Sequence, residues 1–149
     1  MNKDHKDDGA GLSNFHHACK TGKLDAVGAF LSSDPDRIDE KSPEGWTGLI
    51  VACFNQQFEV AKLLVENGAD VNATNAKGTT VFMYAKTPIQ NNDQESTKIL
   101  DYLLDKGADI NRLDIFNKSV LDYVIENGAT VLADWLKSKG ALIGAEVGE

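Results

Sequence analysis

The chain carries the triplet Gly-Ala-Asp twice, at Gly68-Ala69-Asp70 and Gly107-Ala108-Asp109, and each time an apolar residue and then Asn follow. A third copy starts at Gly140-Ala141 and gives way to Leu142-Ile143. The first two of these glycines stand 39 residues apart and the next pair 33. A second series, Gly45, Gly78 and Asn117, shows the same two intervals in the opposite order. Both long intervals contain residues 78–107, so one insertion of 6 residues there accounts for them together. A 33-residue period points to a stack of similar units, because a unit of that size buries its apolar side only against its neighbours. Such a stack argues for a binding surface and against a catalytic pocket.

Aligned on these markers, three segments superpose: Thr47-Gly48-Leu49-Ile50-Val51-Ala52, Thr80-Val81-Phe82-Met83-Tyr84-Ala85 and Ser119-Val120-Leu121-Asp122-Tyr123-Val124. Ser13-Asn14-Phe15-His16-His17-Ala18 is a degenerate first copy. Thr47, Thr80 and Ser119 each stand where a helix should begin, with a hydroxyl able to cap free backbone N–H groups. Val60 with Leu63-Leu64, and Ile99 with Leu103-Leu104, give the second helix of a unit its apolar face. Gly68, Gly107 and Gly140 follow those helices, where a left-handed residue stops the chain. Gly45 and Gly78 mark a tight turn before the next unit, and Asn117 replaces them because Asn tolerates positive φ better than most residues. Asp70 to Gly78, and Asp109 to Asn117, read as extended arms joined by a turn.

The superposed segments resemble the Thr-Pro-Leu-His-x-Ala signature of ankyrin repeats. Proline is absent from every copy, and the histidine survives only as His16. Downstream, Glu59 to Asn72 follows the family pattern almost throughout, and ILDYLLDKGADIN, Ile99 to Asn111, repeats it. The resemblance covers about residues 10–143 and implies a mainly α fold. The fold expected is an ankyrin-repeat solenoid of stacked helix-turn-helix units with hairpin-like loops along one edge. The expected units are about 10–41, 42–74, 75–113 and 114–143, forming one domain, with a flexible segment at 1–9 and a tail at 144–149. Terminal units of a stack are expected to be atypical. Unit one has Gly28 in its second helix and leaves through Asp34-Pro35-Asp36-Arg37; unit four closes with Val131 to Lys137, where Trp135 takes the core register of Leu63. The insertion lies within residues 87–97. Pro88 is expected to end the first helix of unit three, and Asp93 or Ser96 to cap the second. The segment reads either as a tolerated surface insertion or as an extra binding finger.

A net charge of −8 and a pI near 4.8 make nucleic acid an unsuitable partner, since phosphate binding needs clustered Lys and Arg. No apolar run approaches the ~20 residues of a membrane span. The first ten residues, MNKDHKDDGA, lack the apolar region of a secretory signal, so a cytoplasmic protein is expected. Cys19 and Cys53 occupy equivalent places in successive units, too far apart for a disulfide, and read as small core thiols. His16-His17-x-Cys19 has no second cluster to complete four metal ligands. No phosphate-cradling glycine loop, nucleophile elbow or acid–base carboxylate pair is present, so no cofactor, metal or catalytic residue is assigned.

The resemblance implies partner contacts at the loop tips and along the exposed side of the first helices. On this chain those positions are Pro43, Glu44, Trp46, Phe54 and Asn55 in unit two. Thr74, Ala76, Lys77, Thr79 and Thr87 follow in unit three, and Leu113, Ile115, Phe116, Lys118, Glu126 and Asn127 in unit four. Family proteins mostly carry polar residues there, whereas this chain places Trp46, Phe54, Leu113, Ile115 and Phe116. Exposed aromatics beside charges are typical interface anchors; the alternative is that these side chains fold into gaps between units. The expected function is a monomeric protein–protein interaction module that binds another protein through its concave loop-and-helix face. The alternative is a dedicated inhibitor or immunity-type protein that blocks a partner enzyme. Asn72 and Asn111 also match the spacing at which ankyrin-type asparagines can be hydroxylated in animal cells, although bonding of the neighbouring turn backbone is the expected role.

Overall fold

Three side-chain oxygens fix where the units begin. Thr47, Thr80 and Ser119 sit in extended backbone and accept from the N–H groups of Ile50 at 3.2 Å, Met83 at 3.0 Å and Asp122 at 3.3 Å. Asp122 answers by accepting the Ser119 N–H at 2.9 Å, which completes a capping box. The computed structural model describes residues 3–92 and 96–147, with side chains from residue 11 onward. Its helices pair in sequence: α1 (Lys3–Thr21) with α2 (Leu24–Ser33), α3 (Gly48–Phe54) with α4 (Phe58–Glu66), α5 (Val81–Gln90) with α6 (Lys98–Asp105), and α7 (Val120–Asn127) with α8 (Thr130–Ser138). A short turn of helix, α9 (Gly144–Val147), follows.

The first helix of each pair packs on the first helix of the next, α1 on α3, α3 on α5 and α5 on α7. The core runs along that seam through Phe15, Leu49, Ile50, Val81, Phe82 and Val120, all sealed from solvent. Val60 with Leu64, and Ile99 with Leu103, supply the buried stripe of the second helices as their one-turn spacing requires. Close approach needs small residues here: a Cβ on Gly48 would lie 3.0 Å from the Phe15 ring and 3.1 Å from Cys19 Sγ.

Both marker series have positive φ, Gly68, Gly107 and Gly140 at the helix ends and Gly45, Gly78 and Asn117 (φ +60) in the turns. Gly78 has a second constraint, because a Cβ there would stand 3.0 Å from the Asp114 backbone of the next loop. The extended arms reduce to one bridge, between Thr74 and Thr80, and no strand occurs among the described residues. Successive units are joined along this edge by Asn72 and Asn111. Asn72 donates to the Gly107 carbonyl at 3.0 Å and accepts the Asp109 N–H at 2.8 Å. Asn111 repeats the grip on the Gly140 carbonyl, 3.1 Å, and the Leu142 N–H, 2.8 Å. The neighbour-bonding role expected of these asparagines is what the geometry shows.

Several expectations need correction. Pro88 lies inside α5, which runs on to Gln90. It forfeits one backbone bond, but Ile89 beyond it is buried in the core, and that burial holds the last turn helical. Part of the insertion therefore lengthens α5 to 10 residues against 7 in α3. Thr97 precedes α6 without a side-chain cap, while Ser96 Oγ accepts the Lys98 N–H at 3.1 Å; Asp93 lies outside the described residues. Trp135 is only half-buried, because Leu132 and Leu136 fill the core of α8 and the indole flanks them. The backbone of α1 reaches back to Lys3, into the segment read as a flexible lead-in, and α9 takes up residues of the expected tail. Gly144 is buried there, its N–H donating to Asp122 Oδ2 at 2.8 Å.

Candidate functional site

Ser42, Asn75 and Asp114 occupy the same place in three successive loops, and each side chain accepts backbone N–H groups of its own turn. Ser42 Oγ takes the Trp46 N–H at 3.2 Å. Asn75 Oδ1 takes those of Lys77 and Thr79 at 2.9 and 3.0 Å, and Asp114 Oδ1 those of Phe116 and Lys118 at 2.9 and 3.1 Å. In units three and four the same anchor also reaches a tyrosine on the helix that follows. Asn75 Nδ2 donates to the Tyr84 hydroxyl at 2.9 Å, and the Tyr123 hydroxyl donates to Asp114 Oδ2. Each loop is thereby clasped to its own helix. Unit two has Val51 in the tyrosine's place. Its Trp46 instead donates from Nε1 across the junction to the Tyr84 hydroxyl at 2.9 Å.

This arrangement gathers three aromatic rings. Trp46 meets Tyr84 edge-on, with centroids 6.2 Å apart, and Phe54 meets the same ring edge-on at 6.0 Å. With Lys20, Ile50, Val51 and Asn55 they line a hollow of about 200 Å³. A larger groove of about 740 Å³ adjoins it between α1 and the loop of unit two, lined by Leu12, His16, His17, Lys20, Glu44 and Trp46 among others. Trp46 borders both spaces. It is 36% exposed and Phe54 is 44% exposed, so each ring is partly seated and partly free.

The other positions expected at a contact are dispersed. Glu44 and Lys77 are exposed and Thr79 is half-buried. The Asn55 amide donates to the Val51 carbonyl at 2.8 Å and is spent on ending α3. Ile115 and Phe116 project at the tip of the last loop, about 60% exposed, with Leu113 half-buried at its base. Ile115 N–H donates to the Lys77 carbonyl at 3.0 Å, which links that tip to the preceding loop. Lys118 pairs with Glu126 at 2.7 Å, and this bond is the main reason its pKa rises. Trp46, Phe54 and Asn55 thus share one hollow, and the unit-four residues form a separate tip.

Tyr84, Tyr123 and Lys86 are absent from the contact positions expected from the sequence, and His16 is read there only within the repeat signature and with His17 and Cys19. A signal for the tyrosines exists in the nine-residue spacing from Asn75 to Tyr84 and from Asp114 to Tyr123. His16 is buried beside the larger groove with no partner for Nε2, and its burial lowers its pKa against the raising influence of Glu40. Burial pushes the Cys19 thiol up to about 12 and raises Cys53 as well, which suppresses thiolate chemistry at both. Tyr123 is raised by burial first and by its bond to Asp114 second. Among the described residues no group of three or more His, Cys, Asp and Glu side chains could hold a metal ion, and no helix is long and apolar enough to cross a membrane.

A family model for ankyrin repeats, spanning three copies, matches residues 1–75. The chain is 33% identical over 117 residues to ankyrin repeat and SOCS box protein 5 of Mus musculus, covering 78% of this chain and 33% of that one. It is 32% identical over 98 residues to ankyrin repeat and SAM domain-containing protein 6 of Rattus norvegicus, covering 65% and 10%. Protein phosphatase 1 regulatory subunit 27 of Homo sapiens is 35% identical over 69 residues, covering 46% and 44%. The chain therefore spans less than half the length of each of these relatives. With half of its length matching the family model and its helix pairs stacked through a common seam, the chain belongs to the ankyrin-repeat family, whose repeats generally serve protein–protein interaction and not catalysis.

Proposed function

We propose that this chain binds a partner protein through its concave face, with Trp46 and Phe54 as anchors. The observation that carries the reading is the pair of part-exposed rings held edge-on to Tyr84 at the border of two hollows. Rings already ordered by a neighbour lose little conformational freedom on binding, and Trp dominates interface hot spots. Glu44 and Asn55 border the anchors in the two hollows, and Lys77, Thr79, Leu113, Ile115, Phe116 and Lys118 supply further contacts along the loops of units three and four. The acidic surface favours a partner with basic groups around an apolar centre.

The test is the double variant Trp46→Ala/Phe54→Ala in a pull-down, with circular dichroism as the control. Capture is expected to disappear while the helical spectrum and cooperative melting persist. Unchanged capture places the contact elsewhere. A second reading, a dedicated inhibitor of a partner enzyme, draws on one relative being by name a regulatory subunit of a protein phosphatase. It requires the captured partner to be an enzyme that loses activity in the complex.

A further inference from the structure

Lys86 stands where unit two has Cys53 and unit four has Ile125. It is 6% exposed, yet among the described residues its ammonium has no hydrogen bond and no ion pair. The face of the Tyr123 ring lies beside it, with Nζ 5.5 Å from the centroid. The carboxylates of α7 and of the turn before it are committed elsewhere. Asp114 holds its loop and Tyr123, Asp122 holds Ser119 and Gly144, and Glu126 holds Lys118. On the outer side Asp101 pairs with Lys139 at 3.3 Å. α3, packed on the other flank of α5, contributes no acid from its sequence GLIVACF.

Buried charges are normally paired, because the solvation lost on burial must be replaced. A ring face replaces only part of it. Among the described residues the sealed polar atoms without partners are His16 Nε2, Gln90 Oε1 and Tyr102 OH; Lys86 Nζ is not sealed in this way, so the tip of this lysine keeps contact with solvent. An anion arriving from outside can reach it.

We propose that Lys86 is the docking point for a single carboxylate, an aspartate or glutamate side chain of the partner protein, seated between α5 and α7 beside the Tyr123 ring. The inference rests on the reading of the concave face as the binding surface, since Tyr123, the ring beside Lys86, is the unit-four equivalent of Tyr84, which seats the anchors. One ammonium with one aromatic wall suits a monoanion; a phosphate dianion is ordinarily met by several donors or an arginine cluster. The other cation on this ring, Lys118 at 5.2 Å, already carries its own carboxylate. Burial independently holds the Lys86 amine down to about 8, the state of an ammonium that lacks a counter-charge. In a chain of net charge −8, a buried cation without a counter-charge tells a partner where its own acid belongs.

The experiment follows the lysine side-chain resonances of the isotope-labelled full chain by NMR, with Lys86 assigned through Lys86→Met. The probes are N-acetylglutamate amide, its neutral counterpart N-acetylglutamine amide, and phenyl phosphate. The expected result is a saturable shift of Lys86 with the glutamate probe, an upward move of its titration midpoint, and no matching shift from the glutamine probe. Equal shifts from the neutral probe, parallel shifts of all lysines, or saturation by phenyl phosphate at lower concentration would overturn the carboxylate assignment. In the pull-down, Lys86→Met is expected to weaken capture by roughly tenfold or more, as loss of one member of a desolvated charge pair does. If Lys86→Met captures normally while Trp46→Ala/Phe54→Ala fails, the carboxylate site is wrong and the concave face stands. If the aromatic variant captures normally, the face itself is wrong, whatever the NMR shows.

Discussion

The junction between units two and three and the junction between units three and four use the same parts to different ends. Both centre on a tyrosine clasped by the side chain nine residues before it, Asn75 to Tyr84 and Asp114 to Tyr123. Around Tyr84 the companions are neutral and aromatic, Trp46 and Phe54. Around Tyr123 they are cationic, Lys86 at 5.5 Å and Lys118 at 5.2 Å. The repeat fixes where the ring stands, and the residues drawn against it decide what that part of the surface presents. One junction offers apolar area with a hydrogen-bonded indole; the other offers charge.

The largest expected effect separates the two clasps. Asp114→Ala removes the acceptor of two N–H groups and the Tyr123 hydroxyl, with an ionised acceptor at the centre, and should cost about 3 kcal/mol in urea unfolding. Asn75→Ala loses the same number of contacts to a neutral amide and should cost about 1.5 kcal/mol. Equal costs would mean that charge does not distinguish the junctions.

Next in size is a pH effect confined to the charged junction. Burial lowers the folded-state value of Lys86 to about 8, below the ordinary lysine value it regains on unfolding, so the unfolded chain binds more protons between those values. The penalty of burying this charge is therefore full below pH 8 and fades as pH rises toward the ordinary lysine range. The buried thiols of Cys19 and Cys53 act in the opposite sense, because their raised values favour the protonated folded state. Comparing the wild type with Lys86→Met isolates the lysine. The variant should melt higher at pH 7, and the gap should narrow by on the order of 1 kcal/mol by pH 9. A gap that stays constant with pH would show the amine to be ordinary.

Smaller still is Trp46→Phe, which keeps a ring but deletes the bond across to Tyr84. Below about 1 kcal/mol is expected, since Asn75 continues to hold that hydroxyl. Glu126→Gln, at the exposed pair with Lys118, should leave the melting temperature unchanged within error. A measurable loss there would mean that the surface pair helps to organise the charged junction.

What the sequence made legible was the chemistry that acts within a few residues. Thr47, Thr80 and Ser119 cap because a hydroxyl at that place reaches an N–H three residues on. Asn117 was readable as a glycine substitute because positive φ leaves few choices. Pro88 misled because its local cost is offset by the burial of Ile89, a tertiary fact. The exposed rings of Trp46 and Phe54 were visible by position, but the tyrosine that orients them was not, since its role depends on a side chain nine residues away and on Trp46 from the preceding unit. Lys86 drew no reading from the sequence, because nothing in its neighbours' identities announces that the adjacent unit will cover it.

Asn72 and Asn111 grip the unit ahead through the same two backbone groups, yet the chain between grip and target is 6 residues longer in the first case. The pitch of the stack is thus uncoupled from the length of the tether that crosses it. A foreign epitope spliced between Asn92 and Ser96 would ride as cargo, with the register of every later unit still dictated by an amide it never touches.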